Sequence, residues 1–210
     1  MIPAVVPFKA LDATKSRLRP AIGEATERLT LAMLSDVLAA LLDVPGLDPV
    51  VVVTPDADVA SAARDVGAEA RVRPDPGLNA AIDAASAELA DAAEPVLVVL
   101  GDVPGACPEE VGRLLAAAPA RGVVLAPSRD GGTSALLRVP SDVIPGGFGP
   151  DSAALHRDLA SRAAVECVCI DLPSLAIDVD TVDDLEVLVR SDARAPRSRA
   201  LLREIGWSGA

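Results

Sequence analysis

The chain alternates between short apolar runs and longer segments whose apolar residues recur with a helical repeat. The apolar runs predict buried strands at Ala4–Val6, Pro49–Thr54, Val96–Leu100 and Gly122–Ala126, with a further short strand at Glu69–Val72. Helices are predicted between them at Glu24–Leu42, Asp56–Val66, Gly77–Leu89 and Pro108–Ala118. Strands that are apolar along their whole length and alternate with helices indicate an α/β fold, with a mostly parallel sheet covered by helices on both faces.

The last third of the chain has a less regular pattern. It predicts strands at Thr133–Arg138 and Val165–Ile170, and helices at Asp151–Ser161, Thr181–Arg190 and Ser198–Ile205. No internal repeat or linker interrupts this order. We therefore expect a single domain that spans residues 1–210.

Composition narrows the range of partners. The formal net charge is -12, and only Phe8, Phe148 and Trp207 are aromatic. A surface this acidic repels nucleic acids and anionic membranes, and it offers few rings on which bases could stack. No apolar run is long enough to span a membrane and the N-terminus does not resemble a signal segment, so we expect a cytoplasmic protein. An anionic substrate would have to be held by local positive charge, backbone amides or a metal.

Both lysines of the chain, Lys9 and Lys15, lie in the loop after the first predicted strand, although 19 residues are basic. A compact ammonium group suits phosphate oxygens. The segment contains no glycine and is therefore not a P-loop. We predict that the side chains of Lys9, Lys15 and Arg17 hold phosphate groups here; the alternative is a solvated basic loop.

Aspartates at two places predict a magnesium site. Asp102 directly follows the strand Val96–Leu100, and ligands of open parallel sheets bind beyond the carboxyl ends of the strands. Asp178 and Asp180 alternate in an extended segment, so their side chains point to the same side. Carboxylate oxygens are suitable Mg²⁺ ligands. The alternative is that Asp102 or Asp180 only caps a turn or a helix.

Two glycine-rich turns, DGGTS and GGFGPDS, predict a second anion site. Glycines let backbone amides approach an anion, and the turns also carry the hydroxyl groups of Thr133, Ser134 and Ser152. The alternative is a pair of ordinary turns. The single histidine, His156, lies one helical turn after Ser152, where we expect a surface residue or a helix residue with satisfied hydrogen bonds; the alternative is a donor to a substrate phosphate or carboxylate.

Seven segments in chain order resemble the phosphoenolpyruvate/2-phospho-L-lactate guanylyltransferases, which make the guanylylated precursor of coenzyme F-420. The segments are VPFKALDATKSRL, LAMLSDVL, GLNAAID, VLVVLGDVP, DGGTSALL, FGPDSAALH and DVDTVDDL. The resemblance implies a Rossmann-like three-layer fold of the glycosyltransferase-A type, as in the related molybdenum-cofactor nucleotidyltransferases. It also implies guanylyl transfer from GTP to a small phosphorylated carboxylic acid with Mg²⁺ as the cofactor, and it is compatible with a homodimer.

The resemblance assigns the site residues to three groups. The nucleotide group comprises Lys9, Lys15, Ser16 and Arg17 on the triphosphate, with Leu78 and Asn79 near the guanosine. The metal group comprises Asp102 with Asp178, and Asp180 competes for the second place; Lys15, Arg17 and Asp102 would be catalytic. The acceptor group comprises Thr133, Gly149 and Ser152, to which the glycine-turn argument adds Ser134.

The sequence leaves several alternatives open. It does not choose between phosphoenolpyruvate and 2-phospho-L-lactate. A nucleotidyltransferase of the same fold could act on molybdopterin or a sugar phosphate instead. A non-catalytic GTP-binding module would bind the nucleotide without releasing pyrophosphate. A dehydrogenase is disfavoured because its glycine fingerprint is missing.

Overall fold

The computed structural model describes residues 1–91 and 93–207, so the single domain predicted over 1–210 extends beyond the described residues. Seven strands form one sheet. They are β1 (Ile2–Pro7), β2 (Leu47–Thr54), β3 (Glu69–Val72), β4 (Val96–Val99), β5 (Gly122–Pro127), β6 (Thr133–Val139) and β7 (Glu166–Cys169). Their order across the sheet is β3-β2-β1-β4-β6-β5-β7.

Helices occur at every predicted position, with ends that differ from the prediction by a few residues. They are α1 (Arg19–Ile22), α2 (Ala25–Leu42), α3 (Ala57–Val66), α4 (Leu78–Leu89), α5 (Pro108–Ala116), α6 (Ser152–Arg162), α7 (Val182–Arg190) and α8 (Pro196–Glu204). The additional helix α1 follows a 3-10 turn at Leu11–Ala13. In the described ranges, no helix combines the length and the apolar character needed to cross a membrane.

The sheet is mostly parallel, as predicted, but β6 runs antiparallel to both of its neighbours, β4 and β5. The reason is local: only the turn Ser128–Gly132 separates β5 from β6. Such a connection is too short for the crossover that a parallel pair requires, so the two strands form a hairpin. The amino end of β6 therefore lies at the same edge of the sheet as the carboxyl end of β4.

Two apolar cores cover the two faces of the sheet. Because side chains alternate along a strand, Ala4 and Val6 of β1 pack in one core with α2, α3 and α5, whereas Val5 packs in the other with α4 and α6. A third cluster joins α2 to α7 and α8. Helices on both faces of one sheet make three layers, which confirms the predicted fold class.

Candidate active site

A cavity of about 340 Å³ opens at the edge where the parallel strands β1, β2 and β4 end. Its wall includes the loop after β1, the segment before α4 and the turn after β4. Seven of the residues that the sequence assigned to nucleotide or metal binding line it: Lys9, Lys15, Ser16, Arg17, Leu78, Asp102 and Asp180. The structure thus brings the basic loop and the LGDVP turn to one place.

In the cavity wall, Lys15 forms ion pairs with two aspartates. Its Nζ lies 2.8 Å from Oδ2 of Asp102 and also contacts Oδ1 of Asp180. Only 5% of the Lys15 side chain is exposed. Burial by itself would lower the pKa of the ammonium, but the charges of Asp102 and Asp180 outweigh burial and raise this pKa above its ordinary value. Lys15 therefore stays protonated, in ion pairs rather than in solvent.

The backbone of Lys15 has φ +51°, in the left-handed region that non-glycine residues rarely adopt. Such a conformation costs about 1–3 kcal/mol and persists only where the surroundings enforce it. Here the two carboxylates fix the far end of the side chain. Strained backbone of this kind is concentrated at functional sites, so the conformation of Lys15 agrees with a functional role for its ammonium group.

The two aspartate segments meet through a main-chain hydrogen bond, in which the Val179 N–H donates to the Asp102 carbonyl oxygen over 2.9 Å. Val179 is buried, and Asp178 and Asp180 flank it. The residue that caps α7 is Thr181, which forms a reciprocal capping box with Asp184. The Asp180 carboxylate is therefore available to Lys15, contrary to the alternative that it only caps the helix.

Negative charge accumulates around Asp178. Burial, and then the charges of Asp130, Asp102 and Asp180, raise the pKa of its carboxyl to about 6. One oxygen of Asp102, Oδ1, is buried and has no hydrogen-bond partner among the described residues. A buried carboxylate oxygen without a partner is unfavourable unless a cation or a donor reaches it.

The carboxylates fit a divalent cation in donor type, but they do not form a ready-made cage. Within the described part of the chain, no group of three or more His, Cys, Asp or Glu side chains is arranged to hold a metal ion. The Lys15 ammonium lies between Asp102 and Asp180 instead. A cation bound here would give Asp102 Oδ1 a partner and would neutralise the negative charge around Asp178.

The residues predicted to bind the acceptor are not among the described residues that line this cavity. Ser134 accepts a main-chain hydrogen bond of 2.9 Å from Leu100, a cavity residue, so the start of β6 borders the site. The hydroxyl groups of Thr133, Ser134 and Ser152 are all buried, and that of Ser134 has no partner among the described residues. Gly149 is exposed, with φ +139°.

His156 is fully buried and holds the acceptor segments together. Its Nε2 accepts from the Gly147 N–H at 3.2 Å, so its Nδ1 carries the proton and donates to the Thr133 hydroxyl at 3.0 Å. The ring also packs edge-on against Phe148, with centroids 5.0 Å apart. Burial, and then the positive charge of Arg138, lower the pKa of His156 to about 4. Of the two expectations for this residue, the structure agrees with a satisfied helix histidine.

Two placements were not foreseen from the sequence. Arg73 lines the cavity and contacts Glu88 at 2.8 Å. It follows β3 at the same sheet edge, so the rule on carboxyl ends could have identified it. Asn79, assigned to the guanosine, has its amide group hydrogen-bonded in both directions to the main chain of Phe148.

Solved structures share the fold of this chain. A nucleotide-diphospho-sugar transferase from Desulfovibrio desulfuricans G20 superposes with a TM-score of 0.78 at 22% identity, over 97% of this chain and 95% of that one. A CMP:2-keto-3-deoxy-manno-octonic acid synthetase complexed with CTP gives a TM-score of 0.64 at 17% identity, over 97% and 99% of the two chains. The fold is that of the nucleotidyltransferases.

Sequence comparison identifies the family. Residues 2–209 match the family described as "Guanylyl transferase CofC like". A phosphoenolpyruvate guanylyltransferase of Nocardia farcinica is 41% identical, over 98% of this chain and 92% of that protein. One of Sphaerobacter thermophilus is 38% identical, over 88% and 91%. The chain belongs to the CofC-like guanylyl transferase family and is an enzyme of the nucleotidyltransferase class.

Proposed function

We propose that this enzyme transfers the guanylyl group of GTP to the phosphate of phosphoenolpyruvate and releases pyrophosphate. The product would be the guanylylated precursor of coenzyme F-420. The observation that carries the proposal is the Lys15 ammonium, which is held by Asp102 and Asp180 in the wall of a cavity at the carboxyl edge of the sheet. The name shared by the relatives favours phosphoenolpyruvate over 2-phospho-L-lactate as the acceptor.

The nucleotide is proposed to bind in the cavity with its phosphates toward the basic loop. Lys9, Ser16 and Arg17 are exposed residues of the cavity wall, so their side chains are free to meet phosphate oxygens. Leu78, at the start of α4, offers an apolar surface to the guanosine. In a chain with a net charge of -12, this loop supplies the local positive potential that a triphosphate needs.

The proposed reaction is an in-line displacement at the α-phosphorus of GTP. An oxygen of the acceptor phosphate forms the new P–O bond, and the bond from the α-phosphorus to the bridging oxygen breaks. The electron pair of that bond leaves with pyrophosphate. An ionised phosphate is already a nucleophile, so no general base is required. Rate enhancement would come from alignment and from charge neutralisation by Lys15 and Arg17.

Magnesium is proposed to be held by Asp102 together with Asp178 or Asp180. When bound, it would neutralise phosphate charge and help to align the reacting groups. The buried oxygen of Asp102 without a partner supports this assignment. Asp180 contacts the Lys15 ammonium, whereas Asp178 lies among the negative charges of Asp130, Asp102 and Asp180. Asp180 would therefore share its charge with Lys15, and Asp178 would meet only the metal ion.

The acceptor is proposed to bind where β6 and α6 begin. Gly149 is an exposed residue of this segment, and its backbone conformation suits a glycine. Thr133, Ser134 and Ser152 are buried, and the Ser152 N–H donates to the Gly149 carbonyl oxygen at 3.2 Å, which ties the start of α6 to the exposed glycine. The main-chain bond between Leu100 and Ser134 supports a location next to the nucleotide cavity.

Product analysis tests the proposal. The purified enzyme is incubated with Mg²⁺ and GTP plus phosphoenolpyruvate or 2-phospho-L-lactate, and the products are identified by mass spectrometry together with a pyrophosphate assay. We expect pyrophosphate and a guanylylated acid, with phosphoenolpyruvate as the better acceptor. Parallel reactions with CTP and ATP test the nucleotide preference. Binding of GTP without pyrophosphate release under all conditions would instead support a non-catalytic module.

A further inference from the structure

The segment Ile144–Phe148, here called the acceptor loop, leads into the proposed acceptor residues and is held by side chains of α4. Asn79 Nδ2 donates to the Phe148 carbonyl oxygen at 3.0 Å, and the Phe148 N–H donates to Asn79 Oδ1 at 2.8 Å. One turn further along α4, Asp83 accepts from the Gly146 N–H with both oxygens, at 3.0 and 3.1 Å. Two helix side chains thus bind the loop through its main chain.

A buried arginine keeps Asp83 in place. Arg138 of β6 has a side chain only 2% exposed, and its Nη1 donates to Asp83 Oδ1 at 2.7 Å. The same nitrogen donates to the Ile144 carbonyl oxygen at 3.1 Å, and Nη2 donates to Ser86 Oγ at 2.6 Å. A buried charge with a hydrogen-bonded partner fixes the geometry of both groups. Asp83 is therefore held on one side by β6 and on the other by the acceptor loop.

The fit between the loop and α4 is close. A Cβ atom built on Gly146 would lie 3.2 Å from both Asn79 Oδ1 and Asp83 Oδ1, which is tighter than usual contact. The loop is also fastened on its other side, where Gly147 donates to His156. The acceptor loop therefore has little room to shift relative to α4 while these bonds are made.

The amide of Asn79 faces the acceptor loop, because its nitrogen donates to the Phe148 carbonyl oxygen and its oxygen accepts from the Phe148 N–H. The residue before it, Leu78, lines the nucleotide cavity and begins α4. The same helix therefore contacts the nucleotide cavity with its first residue and the acceptor loop with its second and sixth residues.

We propose that Asn79 and Asp83 are positioning residues for the acceptor. They hold the acceptor loop so that Gly149 and Ser152 stand at a fixed place relative to the nucleotide cavity. This inference rests on the proposed function, since it requires that the acceptor bind where β6 and α6 begin. It gives Asn79 a role other than the contact with the guanosine that the resemblance implied.

The variant Asn79→Ala tests the proposal in the full-length enzyme. It removes both hydrogen bonds to Phe148 without introducing a charge. We expect the KM for phosphoenolpyruvate to rise about tenfold, the change that a loss of one to two hydrogen bonds produces. The KM for GTP should stay within about twofold, because Leu78 and the basic loop are unaltered.

A matched control separates positioning from a general loss of stability. Thr30 is fully buried in α2, and its hydroxyl donates to the Thr26 carbonyl oxygen at 2.8 Å. Thr30→Val also removes a buried hydrogen bond, and thermal unfolding of both variants is measured beside their kinetics. An acceptor-specific rise in KM in Asn79→Ala and not in Thr30→Val supports positioning. A rise in the GTP KM alone, or parallel rises in both variants, overturns it.

The second positioning residue is tested by Asp83→Asn, which retains an oxygen for the Gly146 N–H but removes the charge that faces Arg138. We expect an acceptor-specific rise in KM here as well. Since a buried charge without its partner destabilises the fold, thermal unfolding is measured first, and the kinetics are compared at a temperature at which the variant is folded. An unchanged acceptor KM in the folded variant overturns the role of Asp83.

A direct binding measurement distinguishes failure of this inference from failure of the proposed function. Phosphoenolpyruvate is titrated into the wild type and into Asn79→Ala by calorimetry, with Mg²⁺ present. Normal turnover by the wild type, with equal phosphoenolpyruvate affinity in the two proteins, overturns the inference alone. No turnover and no phosphoenolpyruvate binding by the wild type overturns the proposed acceptor and this inference with it. Weaker binding by Asn79→Ala supports the inference even if turnover is slow.

Discussion

Replacing His156 with glutamine should remove one source of pH dependence from the stability of this protein. In the folded state, the imidazole is buried and accepts a hydrogen bond from Gly147, which only its neutral form can do. A proton on Nε2 would break that bond and add a second charge near Arg138. The folded protein therefore resists protonation of His156, whereas the unfolded chain accepts the proton readily.

The magnitude follows from the two proton affinities. The pKa of His156 falls from an ordinary value of 6.5 to about 4 in the folded protein. Each tenfold change in proton affinity corresponds to about 1.4 kcal/mol, so full protonation would cost about 3 kcal/mol of unfolding free energy. Because the folded-state pKa is the lower one, this contribution is fully present above pH 6.5 and is lost as the pH falls toward 4.

Urea unfolding followed by circular dichroism between pH 4.5 and pH 7.5 measures the effect, as the difference in unfolding free energy between the wild type and His156→Gln. Carboxylates also titrate in this range, but they contribute to both proteins and cancel in the difference. Glutamine retains an acceptor for Gly147 and does not titrate. We expect the advantage of the wild type to shrink by about 2–3 kcal/mol on acidification. An advantage that is constant or that grows at low pH would refute the reasoning.

Three further variants test the active site. Asp102→Asn retains the side-chain shape but lowers turnover by about a hundredfold or more, since it loses the charge that faces Lys15 and that is proposed to hold Mg²⁺; wild-type turnover at saturating Mg²⁺ in a folded variant would contradict this. Lys15→Ala lowers kcat by about a hundredfold and changes the acceptor KM by less than about threefold. A fall in kcat accompanied by an equally large rise in the acceptor KM would indicate a scaffold role. Arg73→Gln raises the KM for GTP about fivefold, because Arg73 lines the cavity. Arg71→Gln is the control and leaves this KM unchanged, since Arg71 also contacts Glu88 at 2.8 Å, as Arg73 does, but is not a residue of the cavity wall. Equal effects of the two changes would argue against contact between Arg73 and the nucleotide.

The layers of the fold could be predicted because they follow from local patterns. Apolar runs such as Val96–Val99 and the helical repeat of α2 are visible in the sequence alone. The direction of β6 could not be read from its composition, because a buried strand has the same pattern in either direction. The short turn before it carries that information, since it is too short for a crossover.

The candidate site was predictable to the extent that it depends on sheet topology. Lys15 and Asp102 are far apart in sequence but follow strands that are neighbours in the sheet, β1 and β4, so the rule on carboxyl ends unites them. The partners of polar side chains were not predictable in this way. Asn79 bonds to a backbone 69 residues away, and no residue type marks that position in advance. The burial of His156 likewise depends on the loop that folds over it.

The bond between the Val179 amide and the Asp102 carbonyl has a consequence for how the candidate active site can change over evolutionary time. It joins two main-chain groups, so the spacing of the acidic positions does not depend on which side chains they carry. A substitution that changes the charge or the length of the side chain at one of these acidic positions leaves the main-chain bond in place. Related enzymes on this scaffold could therefore diverge in chemistry while they retain the same architecture.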